Sequence, residues 1–171
     1  MEHFVAAPKL YLDDEKKYRK HAMDFFKRHG VSLQVSEKIE DAIKKVSNEN
    51  IAIFLCDLVL DEIQTGDASI DGFKILIEIR EKNKNIFLAL YTAYHQELTE
   101  EERTVCRAKN IMIYQKDDDD EFMLNIAKDY NNFTQSKSAS VTEKEFFNLS
   151  KDLVIAHLRK ISNQSAKVYW S

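Results

Sequence analysis

The sequence predicts an α/β domain built on a five-stranded parallel sheet, followed by a helical extension. Three observations lead there. Short apolar runs alternate with longer amphipathic ones five times between residues 8 and 133, the pattern of repeated strand–helix units. Two of the short runs, "IAIFLCD" (51–57) and "IFLALYT" (86–92), are apolar almost without interruption, as strands covered on both faces are. With three glycines and one proline in a chain that is 32% charged, tight turns are scarce and helices supply most of the connections.

Taken in order, "PKLYLDD" (8–14) is a strand that ends in two aspartates. "EKKYRKHAMDFFKRHG" (15–30) carries Tyr18, Ala22, Phe25 and Phe26 on one helical face. It stops at Gly30, which accepts the left-handed conformation of a helix terminator. "VSLQV" (31–35) alternates as a strand, and "EKIEDAIKKVSNEN" (37–50) returns to helical spacing through Ile39, Ala42, Ile43 and Val46. The third strand ends at Asp57, and an acidic loop over 58–71 precedes the helix "DGFKILIEIREKN" (71–83). The fourth strand ends at Thr92. "TEEERTVCRAKN" (99–110) is a helix whose Thr99 and Glu102 have capping-box spacing. "IMIYQK" (111–116) is the fifth strand, and "DDEFMLNIAKDYNNF" (119–133) the fifth helix.

Composition shifts at Thr134. The expected organisation is one domain over 1–133, a polar linker "TQSKSASV" over 134–141, and a helical extension over 142–171 opened by Thr142 and Glu145. The extension has a broad apolar stripe that includes Phe146, Leu149, Leu153 and Leu158. A lone helix of this kind needs a partner surface: its own domain, a second copy in a homodimer, or the rest of an output domain. From Thr134 onward six Lys/Arg face three Asp/Glu, so the tail carries +3 and the preceding part −7, summing to −4. The tail is too short for a winged-helix module and shows no recognition helix, so DNA binding is not expected.

The net charge of −4 gives no general attraction to nucleic acid. No apolar run approaches the roughly 20 residues that cross a bilayer, and the N-terminus lacks a basic-then-apolar leader pattern. Cys56 and Cys106 show no metal-ligand spacing and read as reduced, buried thiols. These features lead to the expectation of a cytoplasmic protein without a membrane span.

In parallel α/β sheets the functional crevice lies outside the carboxyl ends of the strands. Asp13, Asp14, Asp57, Thr92 and Lys116 all fall there. Two carboxylates about 4 Å apart repel by roughly 4 kcal/mol at an effective dielectric near 20, and a hard divalent cation removes that penalty. Oxygen-only donors suit Mg²⁺. A cation, an ammonium and a hydroxyl are what a phosphoryl group needs during transfer. Asp57 is then the candidate nucleophile.

The motifs "LYLDDE", "FLCDLVL", "DGFKIL", "LALYTA" and "YQK" occur in this order. Over Lys9 to Phe133 the chain resembles the receiver domain of two-component response regulators. The resemblance implies a flavodoxin-like (βα)5 fold with strand order 2-1-3-4-5. It implies Asp57 as phosphoacceptor and Asp14 as direct Mg²⁺ ligand, with Asp13 acting through water and the Val59 backbone carbonyl completing the set. Thr92 resembles the switch hydroxyl, and Lys116 the lysine that pairs with the phosphoryl group. A histidine kinase or phosphotransfer protein is the implied donor.

Four features depart from that family. The 58–71 loop, with Asp61, Glu62, Asp67 and Asp71, is longer than usual and lacks the customary proline. Lys116 is followed by Asp117 instead of a cis proline, and a non-proline cis bond costs about 2.5–4 kcal/mol, so a trans path is expected. The aromatic switch position, three residues before the lysine, is Ile113, and Tyr114 should face the other side of the strand. The run Asp117–Asp120 reads as a solvated helix start favoured by the helix dipole, and it competes for Lys116. Tyr94 is expected at the site's mouth, His95 exposed, and Cys56 in the core, facing away from Asp57.

The leading reading is a phosphoacceptor receiver that is not an enzyme on a separate substrate. A rival is a phosphorylation-independent pseudo-receiver scaffold, suggested by the missing proline and displaced aromatic. A Mg²⁺-dependent hydrolase of the haloacid-dehalogenase type would need an acid two residues after the nucleophile, where Val59 stands.

Overall fold

The computed structural model describes residues 2–60, 70–116 and 120–137, apart from the side chains of 70 and 71. A short helix α1 (Glu2–Ala6) precedes β1 (Lys9–Leu12), α2 (Lys16–Arg28), β2 (Gln34–Ser36), α3 (Ile39–Asn48) and β3 (Ile53–Cys56). Then come β4 (Val59–Leu60), β5 (Ile70–Asp71), α4 (Gly72–Lys82), β6 (Phe87–Thr92), a 3-10 turn (His95–Glu97), α5 (Glu100–Ala108) and β7 (Ile111–Gln115). A further helix, α6, covers 120–137. The described residues up to Asn131 form one compact unit, and a second begins at Asn132.

Five strands form one parallel sheet in the order β2-β1-β3-β6-β7. Counting these five alone, the order is 2-1-3-4-5, as expected. The direction of strand addition reverses between β1 and β3, so the switch point lies where Asp13 and Asp57 leave the sheet. Alternation along the strands sends Leu10, Leu12, Phe54, Cys56, Leu88 and Leu90 into a core with the apolar residues of α3 and α4. On the opposite face, Tyr91 stacks on Phe122 of α6 at 4.6 Å, and Phe122 also meets Phe25 and Phe26 of α2.

Several boundaries differ from expectation. β2 begins at Gln34 instead of Val31, because Gly30 and Val31 belong to the terminator of α2. Gly30 has φ 70°, and the Gly30 and Val31 N–H groups donate to the carbonyls of Lys27 and Phe26, each at 3.0 Å. Helix α1 has no counterpart among the expected elements. Its Phe4 is fully buried, and its carboxyl end is closed by Lys9. That ammonium donates to the carbonyls of Phe4, Val5 (3.3 Å) and Ala7 (2.7 Å). Helix α6 runs to residue 137, past the expected stop at 133, so 134–137 are helical and not linker; "TQSK" contains neither glycine nor proline to stop it.

A two-residue antiparallel ladder pairs Val59 with Asp71 and Leu60 with Ile70, tying together the ends of the expected 58–71 loop. The loop acids Asp61, Glu62 and Asp67, the Asp117 turn, the rest of the linker and the 142–171 extension lie outside the described residues.

Candidate functional site

Each rim residue is carried at or just past the end of its strand, and a continuation of the backbone ladder holds it there. The Asp13 N–H donates to the Ser36 carbonyl (3.2 Å), Asp57 N–H to Leu12 (2.9 Å) and Lys116 N–H to Thr92 (3.0 Å). The side chains therefore converge from fixed backbone positions. The Lys116 ammonium donates to Asp57 Oδ2 at 2.8 Å and to Asp13 Oδ2 at 2.7 Å. All three groups are nearly sealed: the side chains of Lys116, Asp57 and Asp13 are 6%, 3% and 0% exposed.

Asp57 Oδ1 accepts the Leu58 N–H at 2.8 Å, and the Thr92 hydroxyl is also hydrogen-bonded to Asp57. Thr92 is fully buried, and its hydroxyl accepts the Tyr94 N–H at 3.1 Å. Burial pushes the Asp57 carboxyl above its usual range; Lys116 and Thr92 oppose that rise and Asp13 adds to it. Asp13 Oδ1 accepts the Glu15 N–H at 2.8 Å, while its Oδ2 accepts the Tyr11 phenol besides Lys116. Burial first, then Asp13, raises the Tyr11 phenol far above its ordinary value, so it stays a donor.

Asp14 is half-buried beside this pair, and one ligand atom from each of Asp13, Asp14 and Asp57 lies within 4.8 Å of the others. Mg²⁺ holds oxygen ligands at about 2.0–2.1 Å, which sets opposed ligands about 4.2 Å apart. Small side-chain rotations close that difference, and the donor set is all hard oxygen. The residues fit Mg²⁺. Val59 lies two residues beyond Asp57 in the β4–β5 ladder, its side chain packed against the core.

Two supports escaped the sequence reading. The Arg19 guanidinium, on α2, donates to the carbonyls of Asp13 (2.7 Å) and Asp14 (2.6 Å) and to Glu37 Oε2 (2.8 Å), which fixes the backbone under both acids. Its place one turn into the helix after the aspartates is the only signal, and a helical arginine is usually read as solvated. Gly72 is the other: a Cβ there would sit 1.8 Å from the Asp57 carbonyl oxygen and 3.0 Å from Cys56 Sγ. Only glycine lets α4 start against the backbone of Asp57.

Lys116 also faces the Tyr18 ring at 4.1 Å, a cation–π contact. Beside it is a cavity of about 180 Å³ lined by Tyr11, Tyr18, His21, Ala22, Tyr91 and Lys116. Ile113 packs against the core cluster. Tyr114 takes the other side of β7, donating to Asp129 at 2.7 Å. Tyr94 is 41% exposed. His95 is half-buried, not exposed, because Arg103 of α5 binds its carbonyl and draws the 3-10 turn onto the helix. Cys56 lies in the core as expected.

No protein-family model matches the chain, and no curated protein matches it in sequence. Solved structures do. A CheY-like response regulator receiver domain from Methanospirillum hungatei JF-1 superposes with a TM-score of 0.63 at 13% identity, over 76% of this chain and 98% of that one. The response regulator TrrA from Thermotoga maritima, in complex with Mg²⁺–BeF, gives 0.59 at 23% identity, over 72% and 98%. TrrA in complex with the histidine kinase ThkA gives 0.58 at 22% identity, over 72% and 97%. The chain has the fold of response regulator receiver domains, with three carboxylates and one lysine gathered at the carboxyl rim of its sheet.

Proposed function

We propose that this chain is a receiver that accepts a phosphoryl group on Asp57 from the phosphohistidine of a kinase or phosphotransfer protein. The observation that supports it most is the shared ammonium: Lys116 lies 2.8 Å from Asp57 and 2.7 Å from Asp13, on the rim where three acids meet. In the transfer, an Asp57 carboxylate oxygen forms the new O–P bond while the donor's N–P bond breaks. The imidazole leaves with the electron pair and takes up a proton. Mg²⁺, held by Asp14 and Asp57 with Asp13 through water and the Val59 carbonyl, would supply positive charge opposite the phosphoryl oxygens. Lys116 follows the new charge of about −1.5 to −2, and Thr92 turns its hydroxyl toward it. The loop after β6, which Thr92 anchors through Tyr94, then shifts and alters a partner surface.

On this reading the chain turns over no separate substrate. The receiver spans 1–133 and works in the cytoplasm, and the 142–171 extension covers its apolar stripe on its own receiver, on a second copy or on the rest of an output domain. The test is incubation of the protein with a small phosphodonor and Mg²⁺, followed by intact mass. Wild type should gain one phosphoryl group and Asp57→Asn none; equal labelling of the two, or none of wild type, overturns the proposal. The placement of Ile113 in the core, with Tyr114 tied to Asp129, favours one rival, a phosphorylation-independent scaffold. That rival predicts unchanged partner binding by Asp57→Asn.

A further inference from the structure

Asp13 is fully buried, yet the one cation its carboxylate meets among the described residues, Lys116, is shared with the acceptor Asp57. If Asp57 takes a phosphoryl group, the ammonium has to leave Asp13 for the phosphoryl oxygens. A buried carboxylate that loses its direct ion-pair partner, keeping Mg²⁺ only through water, is costly unless other donors remain. Two do remain: the Glu15 N–H on Oδ1 at 2.8 Å and the Tyr11 phenol on Oδ2. The phenol shares Oδ2 with the ammonium, so that oxygen keeps a donor when the ammonium leaves.

Its aim is fixed by packing. Tyr11 is fully buried, its ring meets Tyr91 edge-on at 5.5 Å, and Tyr91 is itself stacked on Phe122. We infer that Tyr11 is a positioning residue for phosphoryl transfer: it holds Asp13 and so frees Lys116 to move from Asp13 to the phosphoryl group on Asp57. This inference rests on the phosphoacceptor reading. It adds a residue whose hydroxyl meets Asp13 and acts through it, while its ring faces Lys116 at 5.8 Å, a contact that loss of the hydroxyl leaves in place.

Tyr11→Phe in the full chain tests it, because the ring and its packing stay and only the hydroxyl goes. Without the phenol, Asp13 retains Lys116 more strongly. A hydrogen bond to a charged group is commonly worth a factor of about ten or more, so the rate of labelling by a small phosphodonor should fall about tenfold. Mg²⁺ affinity, read by titration, should change less than the labelling rate does. Asp13→Asn supplies the control: if Tyr11 acts through Asp13, adding Tyr11→Phe to Asp13→Asn slows labelling no further. A Tyr11→Phe protein labelled as fast as wild type overturns the inference, as does an undiminished tenfold effect in the Asp13→Asn background. A wild type that takes no phosphoryl group removes the underlying reading and this inference with it.

Discussion

Lys9 makes a sharp test of how the fold handles a buried charge away from the site. Its residue is 1% exposed, and its ammonium ends in three carbonyls at the close of α1 and over the Phe4 ring at 4.5 Å. Burial lowers its pKa from 10.5 to about 8. The sign follows from linkage. Between those values the unfolded chain binds the proton and the folded chain does not, so stability rises with pH across the window. Below about pH 8 both states are charged and the fold carries the whole penalty. At about 1.4 kcal/mol per pH unit the full gain is about 3 kcal/mol. The buried phenols of Tyr11 and Tyr114, whose pKa values are raised, act oppositely and erode stability above about pH 10, the ordinary tyrosine value. Urea unfolding at pH 7.5, 8.5 and 9.5 should therefore show wild-type stability rising relative to that of Lys9→Met, a difference from which the buried thiols of Cys56 and Cys106 cancel because both proteins carry them. A difference between the two proteins that stays constant over the interval would refute the assignment.

Two further outcomes follow from the site. Asp57→Asn should melt higher than wild type at pH 7, because burial holds the Asp57 carboxyl above its ordinary 3.8 and its ionisation opposes folding. The advantage should vanish as the pH falls below 3.8, where both states are protonated, and a pH series of melting curves checks it. Gly72→Ala should lose about 3 kcal/mol or more, since the backbone oxygen 1.8 Å away cannot swing aside as a side chain could. The same shift should weaken Mg²⁺ binding by moving Asp57; a Gly72→Ala protein as stable as wild type would remove the close approach.

Much of this was legible because strand ends and helix ends have strong local chemistry. Asp13, Asp57 and Lys116 stand where apolar runs stop, and Thr99 with Glu102 forms the full reciprocal capping box. The Gly30 terminator was legible too, but not that it would consume Val31 and delay β2. What stayed hidden depends on contacts across the chain. Five residues of α1 are too few to show a helical period. Tyr11 reads as strand core, and nothing local says that its hydroxyl meets Asp13 two residues on. Arg19 reads as a surface arginine until the carbonyls of Asp13 and Asp14 turn back over α2. The β4–β5 ladder pairs two residues with two across a long loop, a register that no periodicity announces.

Calorimetric titration of the full chain with Mg²⁺ tests most directly whether Asp14 and Asp57 hold a cation opposite the Lys116 ammonium. One ion per chain should bind wild type, Asp14→Asn should bind far more weakly, and Lys116→Ala should bind more tightly, because the competing positive charge is gone. Absence of binding to wild type, or equal affinity in the Asp14→Asn protein, would contradict the account.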